Sequence, residues 1–185
     1  MQIPVAGFDP SLNSWGIAEG MLDLEQGYLN DLVLQTVEPE KKQGKQVRQN
    51  SVDIQRAEDL ATTAIMVARR SKVVFVECPV GSQSANGMKA YGIVVGVLGA
   101  IRALGIPVIE VTAMESKKIF TGDKNATKQK MIDAAVKLYP DANFPMYRGQ
   151  VAVKAEHVAD AIAAIHAGVQ TPVFQNLMRL FAEVK

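Results

Sequence analysis

Three acidic residues sit where a carboxylate is costly to keep. Asp9 closes the apolar run Ile3–Phe8, and Glu77 closes the run Lys72-Val-Val-Phe-Val-Glu77. Asp160 lies inside the helical, small-residue stretch Glu156-His-Val-Ala-Asp-Ala-Ile-Ala-Ala-Ile165. A carboxylate at the tip of a buried strand loses hydration unless something positive binds it. Two strand-end acids and a third on a late helix therefore suggest a divalent-metal site assembled from distant parts of the chain. Hard oxygen ligands suit magnesium, which keeps open positions for water and phosphate. On the same helix His157 stands three residues before Asp160, and Glu156 stands four before it. Both can share its face. His157 can ligate metal or orient water, and Glu156 competes with it as a ligand. His166, at the far end of that helix, reads as a favourable charge near the helix C-terminus.

The elements that must carry these residues follow from periodicity and turn chemistry. Strand-like runs at about 2–9, 15–23 and 28–37 are separated by short turns at Asn13-Ser14 and Gln26-Gly27, which favours an antiparallel meander. A polar, basic linker at about 38–46 leads to a helix at about 47–70, with Ile54, Ala57, Leu60, Ala61, Ala64, Ile65 and Ala68 at helical spacing. Val73–Val76 is apolar throughout, as a central strand covered on both faces should be. A second long helix over 85–104 is ended by Gly105 and Pro107, and Pro107–Val111 forms a fifth strand. Thr112-Ala-Met-Glu115 has the form of a capping box and starts a short helix. Gly122–Ala126 is a loop, and a helix at about 127–138 is stopped by Pro140. A loop with Pro145 and Gly149 leads to the helix at about 155–167, and Pro172 starts the last one. The order β-β-β-α-β-α-β-α-α-α predicts an α/β fold with a five-stranded mixed sheet, its first three strands antiparallel and helices on both faces. It is the element order of the ribonuclease H-like fold, carried by the whole chain, 1–185, as one domain.

Composition narrows the class. At 185 residues, with 48% hydrophobic and 21% charged residues, the chain can bury a real core. The single cysteine, Cys78, excludes an internal disulfide framework and suits a reducing compartment. It reads as a small buried residue. There is no basic, apolar leader, and the longest uncharged stretch, 90–101, falls short of the roughly 20 residues that span a bilayer. A cytoplasmic protein without membrane association is expected, from a cell or a phage. A net charge of +1 does not announce a nucleic-acid binder. Local charge does. Lys41, Lys42, Lys45, Arg48 and Arg56 face only Asp53; Lys117, Lys118, Lys124, Lys128 and Lys130 outnumber Glu115 and Asp123; Arg69, Arg70 and Lys72 form a third cluster. Three such clusters flanking the candidate acids point to a phosphate-rich ligand. The helix 85–104 carries Gly92, Gly96 and Ala100 at four-residue spacing, with Gly99 and Ala103 beside them. Small residues persist in a helix where another backbone must come close, either the chain's own sheet or a second copy's helix.

Gly7-Phe-Asp-Pro-Ser11 with Trp15-Gly-Ile17, Val76-Glu77, the helix 85–104 and His157-Val-Ala-Asp-Ala-Ile-Ala163 together resemble the RuvC-type Holliday junction resolvases, over about residues 2–168. The resemblance implies a homodimer, formed through the helix 85–104, that binds four-way junction DNA. Each subunit would nick one strand with two magnesium ions, for which manganese can substitute. It implies Asp9, Glu77 and Asp160 as metal acids, with His157 at a fourth position that the family fills with Asp or His. Lys117 and Lys128 fall where the family keeps lysines near the scissile phosphate. Two departures stand out. Ser11 replaces the usual glycine after Asp-Pro, and the stretch Cys78-Pro-Val-Gly-Ser-Gln-Ser84 lacks the aromatic that some members wedge into the junction.

The chemistry so implied is metal-assisted phosphodiester hydrolysis. Flaps, forks and RNA–DNA hybrids are alternative substrates for the same acids, and a junction-binding protein without catalysis is an alternative of another class. An ATP-using enzyme of the actin-like type also opens on a Gly-x-Asp phrase, but needs a longer chain and a second glycine-rich loop.

Overall fold

The computed structural model describes residues 1–40 and 48–183, with side chains described through residue 180. The basic residues Lys41, Lys42 and Lys45, and most of the expected linker, lie outside the described residues. β1 (Gln2–Pro10), β2 (Trp15–Asp23) and β3 (Leu29–Val37) form the meander, and α1 (Gln49–Arg70) follows. β4 (Val73–Glu77), α2 (Ala85–Ala103) and β5 (Val108–Val111) complete a five-stranded sheet in the order β3-β2-β1-β4-β5. β1 and β2 pair antiparallel from Gln2↔Asp23 to Pro10↔Trp15, whereas β4 runs parallel to β1 and β5 parallel to β4. The expected α/β, ribonuclease H-like architecture is the observed one. Its central pair is β1 and β4, the strands that end in Asp9 and Glu77.

The chain then adds α3 (Ala113–Thr121), α4 (Lys128–Leu138), α5 (Glu156–Gly168) and α6 (Pro172–Glu183). The capping box forms as expected: Thr112 Oγ1 accepts from the Glu115 N–H and the Glu115 carboxylate accepts from the Thr112 N–H. Before α5, where a loop is expected, the chain makes a two-stranded hairpin of β6 (Met146–Tyr147) and β7 (Gln150–Val151) and a 3-10 turn over Val153–Ala155. Two-residue strands are too short to leave an alternating pattern in the sequence.

Two apolar layers cover the sheet. On one face α1 and α2 bury Leu60, Ala64, Val67, Val94, Val97, Leu98 and Ile101 against Ala6, Phe8, Trp15, Val74 and Val76. On the other, α5 is buried almost all round. It packs Val158, Ala161, Ile162 and Ile165 against Val5, Ala18 and Phe75, with Met131, Ala135 and Phe174 of its neighbours closing over it. Ile54, expected on the buried face of α1, is 68% exposed. The glycines of α2 do not pack on the sheet: a side-chain carbon at Gly92, Gly96 or Gly99 would meet nothing within contact range. Two close approaches lie elsewhere. A side-chain carbon at Gly7 would run into the Ala161 carbonyl, and one at Gly16 into the His157 backbone. Glycine in a strand here marks the place where a helix backbone comes down onto the sheet.

Candidate functional site

The parallel register Phe8↔Val76 puts the next residues, Asp9 and Glu77, at the same end of neighbouring strands. The close contacts at Gly7 and Gly16 lower the first two turns of α5 onto that end. There the His157 Nδ1–H donates to Asp9 Oδ2 at 2.8 Å. Asp160, one turn further on, is half-buried. Its carboxyl is pushed up to about 8 by burial first, then by the negative charges of Asp9 and Glu77, with Lys117 opposing. Glu77 is pushed up to about 7, by burial first and then by Asp9. The buried Ser116 hydroxyl and Lys117 hold that rise back. Glu77 Oε2, Asp160 Oδ1 and Ser116 Oγ are nonetheless buried without a hydrogen-bond partner among the described residues. The His157 ring is shifted upward chiefly by its bond to Asp9, against the cost of burial.

The structure thus draws Asp9, Glu77, His157 and Asp160 to one end of the sheet. Lys117, half-buried on α3, is close enough to lower both raised carboxyls. Lys128, the first residue of α4, instead pairs with Glu156 through both carboxylate oxygens, at 2.9 and 2.7 Å. Glu156 Oε1 is 3.7 Å from His157 Nε2. Glu156 is therefore neutralised by a lysine, while Asp160 and Glu77 have no cation bonded to them. Among the described residues no three acidic, histidine or cysteine side chains are already gathered at ligating distance. The donor set still fits a hard divalent cation. It consists of carboxylate oxygens, two of them buried and unpaired, in a cluster whose mutual repulsion a cation would relieve.

The basic clusters divide. Lys117, Lys118, Lys124, Lys128 and Lys130 lie on α3, α4 and their joining loop, at the carboxylate end. Lys130 is tied to Asp123 at 2.9 Å. Arg69, Arg70 and Lys72 sit at the start of β4, the opposite end of the sheet, and Arg70 is held by Glu19 through two hydrogen bonds of 2.6 and 2.7 Å. That cluster does not flank the acids, because α1 runs antiparallel to β4 and carries its C-terminus away from them. Arg56 faces a cleft beside the end of β1, lined also by Asn13, Gln49, Asn86 and Lys89. Its Nε is buried without a partner among the described residues. Asn13, Gln49, Asn86 and Lys89 carried no sequence signal of this kind, because three separate segments build the cleft.

Two further expectations change. His166 is not a surface charge at a helix end. α5 is central, so burial pushes the ring down to about 4. The Leu29 N–H donates to the Tyr139 hydroxyl, which leaves that hydroxyl to donate to His166 Nε2 at 2.7 Å. Cys78 is half-buried rather than enclosed, and burial followed by the charge of Glu110 pushes its thiol up.

Comparison with solved structures supplies the fold relationship. The chain is similar to RuvC of T. thermophilus in complex with a Holliday junction substrate, with a TM-score of 0.64 at 18% identity, covering 96% of each chain. It is likewise similar to a second Thermus thermophilus RuvC structure, with a TM-score of 0.59 at 20% identity, covering 96% of this chain and 97% of that one. No protein-family model and no curated protein matches the sequence. The shared fold extends over nearly the whole chain, and at 18–20% identity the likeness is one of fold alone.

Proposed function

We propose that this protein is a metal-dependent endonuclease that cuts four-way DNA junctions, as a homodimer, in recombination or repair inside the cell. The observation that carries the reading is the carboxylate cluster. Glu77 and Asp160 are raised to about 7 and 8, and each keeps a buried, unpaired oxygen. A protein that only binds DNA has no use for buried carboxylates that repel one another. Evolution tolerates such an arrangement where function needs it.

In this reading Asp9, Glu77, Asp160 and His157 hold magnesium, or manganese in its place, as two ions. A metal held there would supply Lewis-acid polarisation of the phosphate and a water of lowered pKa for in-line attack. The remaining work falls to the chain itself. Lys117, half-buried and already acting on both carboxyls, offsets charge on the non-bridging phosphate oxygens. Lys128 shields Glu156 and keeps it from competing for the metal. Asp9, which accepts from His157 Nδ1 at 2.8 Å, fixes the orientation of the ring and leaves Nε2 without a hydrogen bond among the described residues. Lys118, Lys124 and Arg56 would grip backbone phosphates, so affinity falls steeply with salt.

The exposed small residues of α2 support the dimer. Gly92, Gly96 and Gly99 face outward, where a second helix backbone can approach closely.

The test is cleavage of labelled four-way junction, flap, RNA–DNA hybrid and linear duplex, with and without magnesium. Paired symmetric nicks in the junction are expected, with Asp9→Asn and Glu77→Gln losing about a thousandfold or more in rate while still binding. Cutting of flaps or hybrids alone would keep the site and overturn the substrate. Full activity in either variant would remove the assignment.

A further inference from the structure

The hairpin that precedes α5 has features that the fold does not require. Its two-residue turn, Arg148-Gly149, has positive φ at both positions, 51° and 78°. This is what a tight hairpin needs to match strand twist, and Asn-Gly or Gly-Gly supplies it without strain. Arginine does not: a side chain in the left-handed region is strained. The ribbon around it is apolar yet open to solvent. Met146 is 59%, Tyr147 64% and Val153 71% exposed. The Arg148 guanidinium lies over the Tyr147 ring, 5.2 Å from its centroid. From Phe144 to Ala155 there are two cations, Arg148 and Lys154, and no acid.

The ribbon is nevertheless firmly rooted. The Ala152 N–H donates to the Pro145 carbonyl at 2.8 Å across its base. Phe144, Val151 and Ala155 pack into the core beneath α5. From Val151 the chain passes through one 3-10 turn into Glu156 and His157, so the ribbon stands at the carboxylate end of the sheet. An exposed aromatic with a stacked arginine, on a rigid and locally basic support, is the equipment that proteins use on unpaired bases and their phosphates. The stretch after Glu77 contains no aromatic to do this.

We propose that the hairpin Met146–Val151 is a second nucleic-acid contact, in which Tyr147 stacks on a base unpaired near the strand to be cut and Arg148 holds an adjacent phosphate. The inference rests on the nuclease reading and deepens it, because it gives the site a preference for DNA with open base pairs over intact duplex.

The experiment measures binding, without divalent cation, to a four-way junction carrying 2-aminopurine at the crossover, using the wild type, Tyr147→Ala, Tyr147→Phe and Arg148→Gly. Tyr147→Ala should bind about tenfold more weakly and lose the fluorescence change, and Tyr147→Phe should keep both. Arg148→Gly should flatten the salt dependence by about one phosphate contact while raising the melting temperature, because glycine relieves the turn. A structural role would move stability and binding in the same direction. Unchanged affinity and fluorescence in Tyr147→Ala, in a protein that still cuts junctions, would overturn the hairpin assignment alone. A wild type that binds and cuts no DNA would remove the nuclease reading and this inference with it.

Discussion

Glycine and alanine do opposite work on the two sides of the sheet. Under α5 they are buried and bring backbones together. Gly7 meets the Ala161 carbonyl, Gly16 meets the His157 backbone, and Gly168 meets the Phe75 ring. On α2 the glycines face away from the sheet, and Val94, Val97, Leu98 and Ile101 make the contact instead. The first arrangement is a requirement of the site: only a helix lowered onto β1 and β2 can bring His157 to Asp9. The second makes no contact with the sheet and costs helix stability, so the packing of the described residues does not explain it. Small residues at helical spacing thus do not reveal which surface they serve.

The sharpest way to break the contrast is Gly16→Ala. The new carbon has backbone to displace, so a loss of about 3 kcal/mol in stability is expected, together with reduced cleavage as His157 shifts. Denaturant titration checks the first and the junction assay the second; wild-type values for both would mean that α5 is not pinned at this point.

The α5 side also carries a pH liability that the α2 side lacks. His166 sits at about 4 when folded against an ordinary value of 6.5. The folded state therefore binds its proton less readily than the unfolded one. The resulting stability is complete above pH 6.5 and is lost as pH falls toward 4, by about 3 kcal/mol. His166→Asn should flatten that part of the stability profile, and an unchanged slope would show that the ring is not buried neutral.

Glu77 has the reverse sign. Its folded value of about 7 lies above the ordinary 4.5. The folded state then holds the proton more tightly, and stability is lost as pH rises from 4.5 through 7. Without divalent cation at pH 8, Glu77→Gln should be more stable than the wild type by about 2 kcal/mol, the remaining solvent contact reducing the full effect. Magnesium should narrow the gap by stabilising only the wild type. Thermal melts with chelator and with metal read both effects, and a destabilised variant would contradict the strained carboxyl.

Gly96→Ala gives the smallest effect and probes the other side. With nothing in range of the new carbon, helix propensity should raise monomer stability by about 1 kcal/mol. If the stripe receives a second helix, the same change weakens association, which sedimentation resolves. A gain in stability with unaltered assembly would leave the stripe unexplained.

Much of this was legible along the chain. Strand and helix positions, the capping box at Thr112 and the acids Asp9, Glu77 and Asp160 all lie in local patterns of apolar runs and turn residues. The motif Gly7-Phe-Asp9 also held the sign of close approach, since a glycine inside a strand asks what comes near. Apart from the hairpin over Met146–Val151, where a loop was expected, the misreadings were of side-chain environment. Ile54 has helical spacing yet faces water. His166 has a helix-end position yet packs half-buried against Tyr139 and Phe120. The cluster at Arg69–Lys72 is basic yet stands at the wrong end of the sheet.

The five strands of the main sheet, the α-helices, their order and the acids at the strand ends are local properties, because periodicity and backbone preference act over a few residues. Which groups meet depends on the assembled fold. Glu156 pairs with Lys128 while Asp160 keeps an unpaired oxygen, Arg56 joins a cleft built from three segments, and Tyr147 stands open beside α5. Burial and charge at each of these points are sums over residues far apart in the chain, and no local pattern records them.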